Sequence, residues 1–114
     1  MDSNPKIEKV CRTALEKKAE NIVVMDMRHR SNICEFFVVM SAPSTVRVKT
    51  IVDHIEETME KEGSPALHKE GVDAALWVLL DFGSLVVHVF QEDTRLFYGL
   101  EQLWGDAPKV HFTP

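Results

Sequence analysis

Two short apolar runs separated by four turn-forming residues constrain this chain more than any other stretch. Residues 76–80 (LWVLL) are too few for a typical helix, residues 81–84 (DFGS) supply turn chemistry, and residues 85–90 (LVVHVF) are rich in β-branched side chains. That combination predicts a β-hairpin. Side chains alternate across a strand, so Trp77, Leu79 and Asp81 share one face while Leu76, Val78 and Leu80 share the other. On the second strand Leu85, Val87 and Val89 make an aliphatic face, and Val86, His88 and Phe90 make a face interrupted by one polar ring. Two arrangements fit this pattern. Helices on the aliphatic side leave the face with Trp77 and His88 open as a binding surface, whereas a sheet covered on both sides makes Trp77 part of the core.

The remaining bounds are simple. A chain of 114 residues is one domain, residues 1–114, with room for a core that needs no staples. Its 45% hydrophobic and 27% charged residues exclude the disordered class. No apolar run is long enough to cross a bilayer and the first ten residues lack the apolar core of a secretory signal, so a cytoplasmic protein without a membrane partner is expected. The net charge of -5 argues against a direct grip on nucleic acid, where phosphates call for a basic stripe, yet suits a basic protein partner. Cys11 and Cys34 have no CxxC spacing, which predicts free buried thiols rather than a zinc site or a disulfide.

Asn4 and Pro5 read as a helix cap and a first-turn proline, followed by Ile7, Val10, Cys11, Ala14 and Leu15 at helical spacing, ending near Lys18. Residues 22–27 and 34–40 read as strands joined by a polar turn over 28–32 that carries the one compact basic cluster, Arg28, His29 and Arg30. Ser44 caps a long helix whose buried face is Val48, Ile51, Val52, Ile55 and Met59, ending before Gly63. Residues 64–71 are expected as a loop in which Gly71 takes an unusual backbone angle, 96–103 as a short amphipathic or irregular segment, and 105–114 as a tail. Trp104, Leu100 and Leu103 are expected to close the core. The order αββαββα makes an α+β domain, a single compact unit with a mixed, largely antiparallel sheet and helices on one face.

The pieces KAENIVVMDMR (18–28), SNICEFFVVMSAPS (31–44), KEG (69–71), ALWVLLDFGSLVVHVF (75–90) and RLFYGLEQLWGDA (95–107) resemble the ribosomal silencing factor family, also called Iojap-related. The likeness spans nearly the whole chain. It implies a fold similar to nucleotidyltransferases without their activity, and a factor that binds the large ribosomal subunit through its universal protein fourteen. Occupying that protein's intersubunit face would block joining with the small subunit and lower translation when nutrients are scarce. The family's functional surface carries over to Trp77, Leu79 and Asp81, with His88, Arg95 and Tyr98 as neighbours. A homodimer of the free chain built on the Trp77 face would compete with the ribosome. The sequence departs from the family pattern at Glu35-Phe36-Phe37, where many members have Asp-Tyr-Phe, and at Ser41-Ala42-Pro43-Ser44, where a flexible glycine is common.

The alternative is a nucleotidyltransferase-like enzyme. Nucleotide transfer needs carboxylates gathered so that two metal ions clamp the reacting phosphates. Asp26 is followed two residues on by Arg28, and Asp81 stands alone in its strand, so no catalytic residue, metal or cofactor is expected. Asp26 is expected to pair with Arg28 or backbone, and Asp81 to form the turn or accept from a partner.

Overall fold

The computed structural model describes residues 4–30, 34–103 and 105–112, with only the backbone of Leu103. The side chain of Asn4 accepts from the Lys6 amide at 3.0 Å and Pro5 opens α1 (Pro5–Glu16), as the sequence predicts. Strands β1 (Glu20–Asp26) and β2 (Phe36–Ala42) pair antiparallel. Ser44 Oγ accepts from the Arg47 amide at 3.2 Å and caps α2 (Thr45–Lys61), whose buried residues are the five expected from their spacing. Then come β3 (His68–Glu70), the hairpin β4 (Trp77–Asp81) and β5 (Leu85–Gln91), the short helices α3 (Glu92–Tyr98) and α4 (Leu100–Leu103), and β6 (Lys109–His111).

The sheet order is β3-β4-β5-β2-β1-β6. Only β2 and β5 run parallel, in the register Val38 to Val87 and Met40 to Val89, because α2 lies in the crossover between them. The other neighbouring pairs are antiparallel. Two elements arise where loop and tail were expected. β3 comes from residues 64–71 and pairs with β4; β6 comes from residues 105–114 and pairs with β1. Three residues are too few to show a period, so these strands exist only through pairing.

α1 and α2 share one face, as expected. Their Ile7, Val10, Cys11, Ile51, Ile55 and Met59 pack on Val24, Val38, Met40, Val78, Leu80, Val87 and Val89 of the sheet. The opposite face carries a second, smaller core of Val23, Met25, Met27, Cys34, Val39, Val86, Phe90, Leu100 and Ala107. Leu100 closes this second core; Trp104 and the Leu103 side chain lie outside the described residues. The short α3 differs from the long helices, since its Arg95 reaches Ser41 on the second face.

Candidate functional site

β4 alternates strictly. Val78 and Leu80 are fully buried beneath the helices, while Trp77, Leu79 and Asp81 are half-buried on the other side. The open arrangement therefore holds at β4, and the covered one holds at β5, where His88 is only 3% exposed. Position in the sheet explains the split: β5 is central and lies beside the second core, whereas β4 is flanked outwardly by the three-residue β3.

Trp77 is held on three sides. Its indole Nε1–H donates to His88 Nδ1 at 3.1 Å, its ring stacks on Phe90 with centroids 4.9 Å apart, and Tyr98 leans against it at 4.9 Å. The imidazole of His88 meets Phe37 edge-on at 4.6 Å. Burial pushes the His88 pKa down to about 4, so the ring is neutral at pH 7. An indole can only donate, so Nδ1 is the accepting nitrogen and the proton sits on Nε2.

Arg95 and His88, both expected as partner contacts, are buried beneath this surface. Arg95 is buried: Nε and Nη2 donate to the two carboxylate oxygens of Glu101 at 2.8 and 3.1 Å, and Nη1 donates to Ser41 Oγ at 3.0 Å. A fork this fully paired ties α3 to α4 and to β2 and leaves little for a partner. His88 likewise presents no ring nitrogen to solvent. Tyr98 and Trp77, by contrast, meet at the surface.

Sequence reasoning passed over the most exposed members of this surface. Gln91 caps α3, its Oε1 accepting from the amides of Asp93 at 3.1 Å and Thr94 at 3.3 Å, although glutamine is not a preferred cap. The resulting helix is inverted: its one buried residue is Arg95, while Leu96 is 78% and Phe97 83% exposed. Three consecutive apolar residues, Leu96, Phe97 and Tyr98, span more than half a turn and could not all have faced a core; that was the available signal. Leu76, expected on the buried face with Val78 and Leu80, instead precedes β4 and is exposed, and it lines the same groove as Trp77. Between α3 and the 71–76 loop runs a groove of about 530 Å³ lined by Gly71, Leu76, Trp77, Asp93, Phe97 and Tyr98. Gly71 sits at φ +77°, and a Cβ there would lie 2.1 Å from the Trp77 carbonyl oxygen, so the unusual angle expected of it also lets the loop approach β4.

The carboxylates stand apart from this surface and from each other. Asp26 accepts from the Arg28 side chain at 2.6 Å and from the Arg28 amide at 3.0 Å, and these bonds hold its pKa down at about 2. Asp81 Oδ1 accepts from the Gly83 amide at 2.8 Å and closes the hairpin turn. The two residues lie on opposite faces, three strands apart, about 14 Å by interstrand spacing. Among the described residues no three His, Cys, Asp or Glu side chains gather as metal ligands would. Cys11 and Cys34 are free and buried, with burial pushing their pKa values to about 12 and about 11, well away from reactive thiolates.

Over residues 1–114 the sequence matches the family described as ribosomal silencing factor during starvation. The chain belongs to that family. Its relatives include the ribosomal silencing factor RsfS of Halalkalibacterium halodurans, 41% identical over 83% of this chain and 81% of the relative. RsfS of Bacillus subtilis is also 41% identical, over 82% of this chain and 79% of the relative. A crystal structure from Bacillus halodurans superposes with a TM-score of 0.83 at 33% identity, covering 96% of this chain and all of that one. Ribosome-associated regulation of translation is the business of this family, and its α+β fold is the one described above. Among the described residues no helix is long and apolar enough to cross a membrane.

Proposed function

We propose that this silencing factor docks the large ribosomal subunit through its universal protein fourteen, using the surface of Leu76, Trp77, Leu79, Phe97 and Tyr98. Seated there, it blocks joining with the small subunit and represses translation under nutrient limitation. The observation that carries this reading is the inverted helix α3. A two-turn helix that buries an arginine and turns Phe97 and Tyr98 to solvent beside a half-buried tryptophan forms an apolar patch of the kind that marks a protein interface. Asp93 in the groove gives that patch an acidic rim, complementary to a basic ribosomal protein.

Asp81 and Tyr98 contribute at the edges, while His88 and Arg95 support the surface from below. A catalytic role has no comparable support, since Asp26 and Asp81 are too far apart to share a metal clamp. A second copy seated on the same patch would compete with the subunit, because an isologous pair uses the same residues on both sides.

Sedimentation tests the reading directly. The wild-type chain should travel with purified large subunits and be absent from joined ribosomes, and a Trp77→Ala/Phe97→Ser double variant should remain at the top of the gradient. Co-sedimentation of the folded double variant with large subunits at wild-type levels would discard this surface.

A further inference from the structure

Beneath the patch lies a polar group that the second core holds at a cost. His88 is 3% exposed, and its Nε2 has no hydrogen-bond partner among the described residues. A buried donor left unpaired is unfavourable, and a phenylalanine or leucine at this position would fill similar space without that penalty. What distinguishes the histidine is its other nitrogen. Nδ1 accepts the indole N–H of Trp77 at 3.1 Å.

This contact acts on a soft degree of freedom. The χ2 torsion of tryptophan turns about an sp³–sp² bond with broad, roughly two-fold wells, so stacking on Phe90 alone is compatible with the ring turned over. Turning it over carries the N–H away from His88, and the hydrogen bond therefore selects one orientation. Because the indole can only donate and the neutral imidazole must accept at Nδ1, the selection has a definite sense. His88 in turn is wedged by the edge contact to Phe37 at 4.6 Å.

We propose that His88 is a positioning residue for docking: it fixes the Trp77 ring in the orientation that meets the large subunit, without touching the partner itself. The inference rests on the reading of Trp77 as a docking anchor. An anchor already held in its bound orientation has less freedom to lose on association, and immobilising one side chain of this kind is worth about a fivefold change in affinity.

The test has a part that needs no partner. In the full-length free protein the Nε1–H resonance of Trp77, assigned by its loss in Trp77→Phe, should be shifted by its hydrogen bond and slow to exchange with solvent. His88→Phe, which keeps a ring but removes the acceptor, should release it, giving fast exchange with no loss of thermal stability; His88→Gln, whose side-chain carbonyl can accept, should restore protection in part. Against purified large subunits His88→Phe should bind about fivefold more weakly, His88→Gln should recover part of this, and in a Trp77→Phe background His88→Phe should cost nothing further. An indole equally protected in His88→Phe overturns the proposal, as does a released indole with unchanged affinity when Trp77→Ala binds weakly. Full binding by Trp77→Ala would instead discard the docking surface, a failure the free-protein resonance separates from the first. Should His88→Phe fail to fold, His88→Leu, which also lacks an acceptor, decides: an indole resonance with no change in shift or exchange, together with wild-type affinity, overturns the proposal.

Discussion

At position 88 the imidazole fits the fold only without its second proton. Its pKa falls from the ordinary 6.5 to about 4 because burial penalises the charged ring. Between those values the unfolded chain takes up a proton that the folded chain refuses, so stability is full above about pH 6.5 and declines as pH falls toward 4. Urea unfolding at pH 7 and at pH 4.5 should show this loss in the wild type and a smaller one in His88→Phe; equal losses would place the acid sensitivity elsewhere. Asp26 acts in the next window down. Its contribution is present above its ordinary 3.8 and disappears as pH falls through about 2. One residue along β4, neighbours should respond in opposite ways. Truncating an interface anchor typically costs about 2 to 4 kcal/mol of binding, so Trp77→Ala should weaken docking roughly thirtyfold or more while the melting temperature moves by a few degrees. Val78 is fully buried, and an unpaired carboxylate there costs several kcal/mol of a total stability of about 5 to 15. Val78→Asp should therefore unfold the domain, and melting curves that reverse this order would mean that the faces are exchanged.

Elements differ in what their apolar residues are for. In α1 and α2 they face the sheet, and cutting them creates cavities. In α3 they face outward, so Phe97→Ser should leave stability within about 0.5 kcal/mol by denaturant titration and still weaken subunit binding. A melting temperature that falls as far as for a core substitution would show that α3 packs inward. The 71–76 loop can be examined by a matched pair of glycines. Gly63 and Gly71 have nearly the same backbone angle, φ +79° and +77°, but an added Cβ meets nothing within 4 Å at Gly63 and the Trp77 carbonyl at Gly71. Gly71→Ala should therefore destabilise clearly more than Gly63→Ala. Equal shifts in melting temperature would mean that backbone strain alone matters.

For the whole molecule, charge and apolar area divide the work of association. The net charge of -5 and the acidic rim should steer the protein toward a basic target, while the patch supplies the hold. Raising salt from low to physiological ionic strength and beyond should slow association and leave most of the affinity, because exposed charges are screened within about 8 to 10 Å. A steep power-law loss of affinity with salt would indicate phosphate neutralisation and direct contact with ribosomal RNA.

Much of this was readable in the chain because it is governed by neighbours in sequence. Asn4 and Ser44 announce their helices by capping chemistry, the buried face of α2 follows from its spacing, and the alternation of residues 76–90 placed Trp77 and Val78 on opposite sides before any contact was known. Sheet order decided the rest. β3 and β6 carry too few residues to hold a period and become strands by pairing with β4 and β1. The same alternating pattern gives a half-open face in β4 and a covered one in β5, because β5 lies between β4 and β2 with Val86 and Phe90 inside the second core, whereas Trp77 and Leu79 of β4 pack only against that core's margin. Burial of Arg95 depends on Ser41 and Glu101, fifty-four residues before it and six after it, a meeting no local pattern encodes. And an apolar triplet such as Leu96, Phe97 and Tyr98 signals that some of its side chains escape a core but not which; only the packed molecule, by filling the space under α3 with an arginine, turned all three outward.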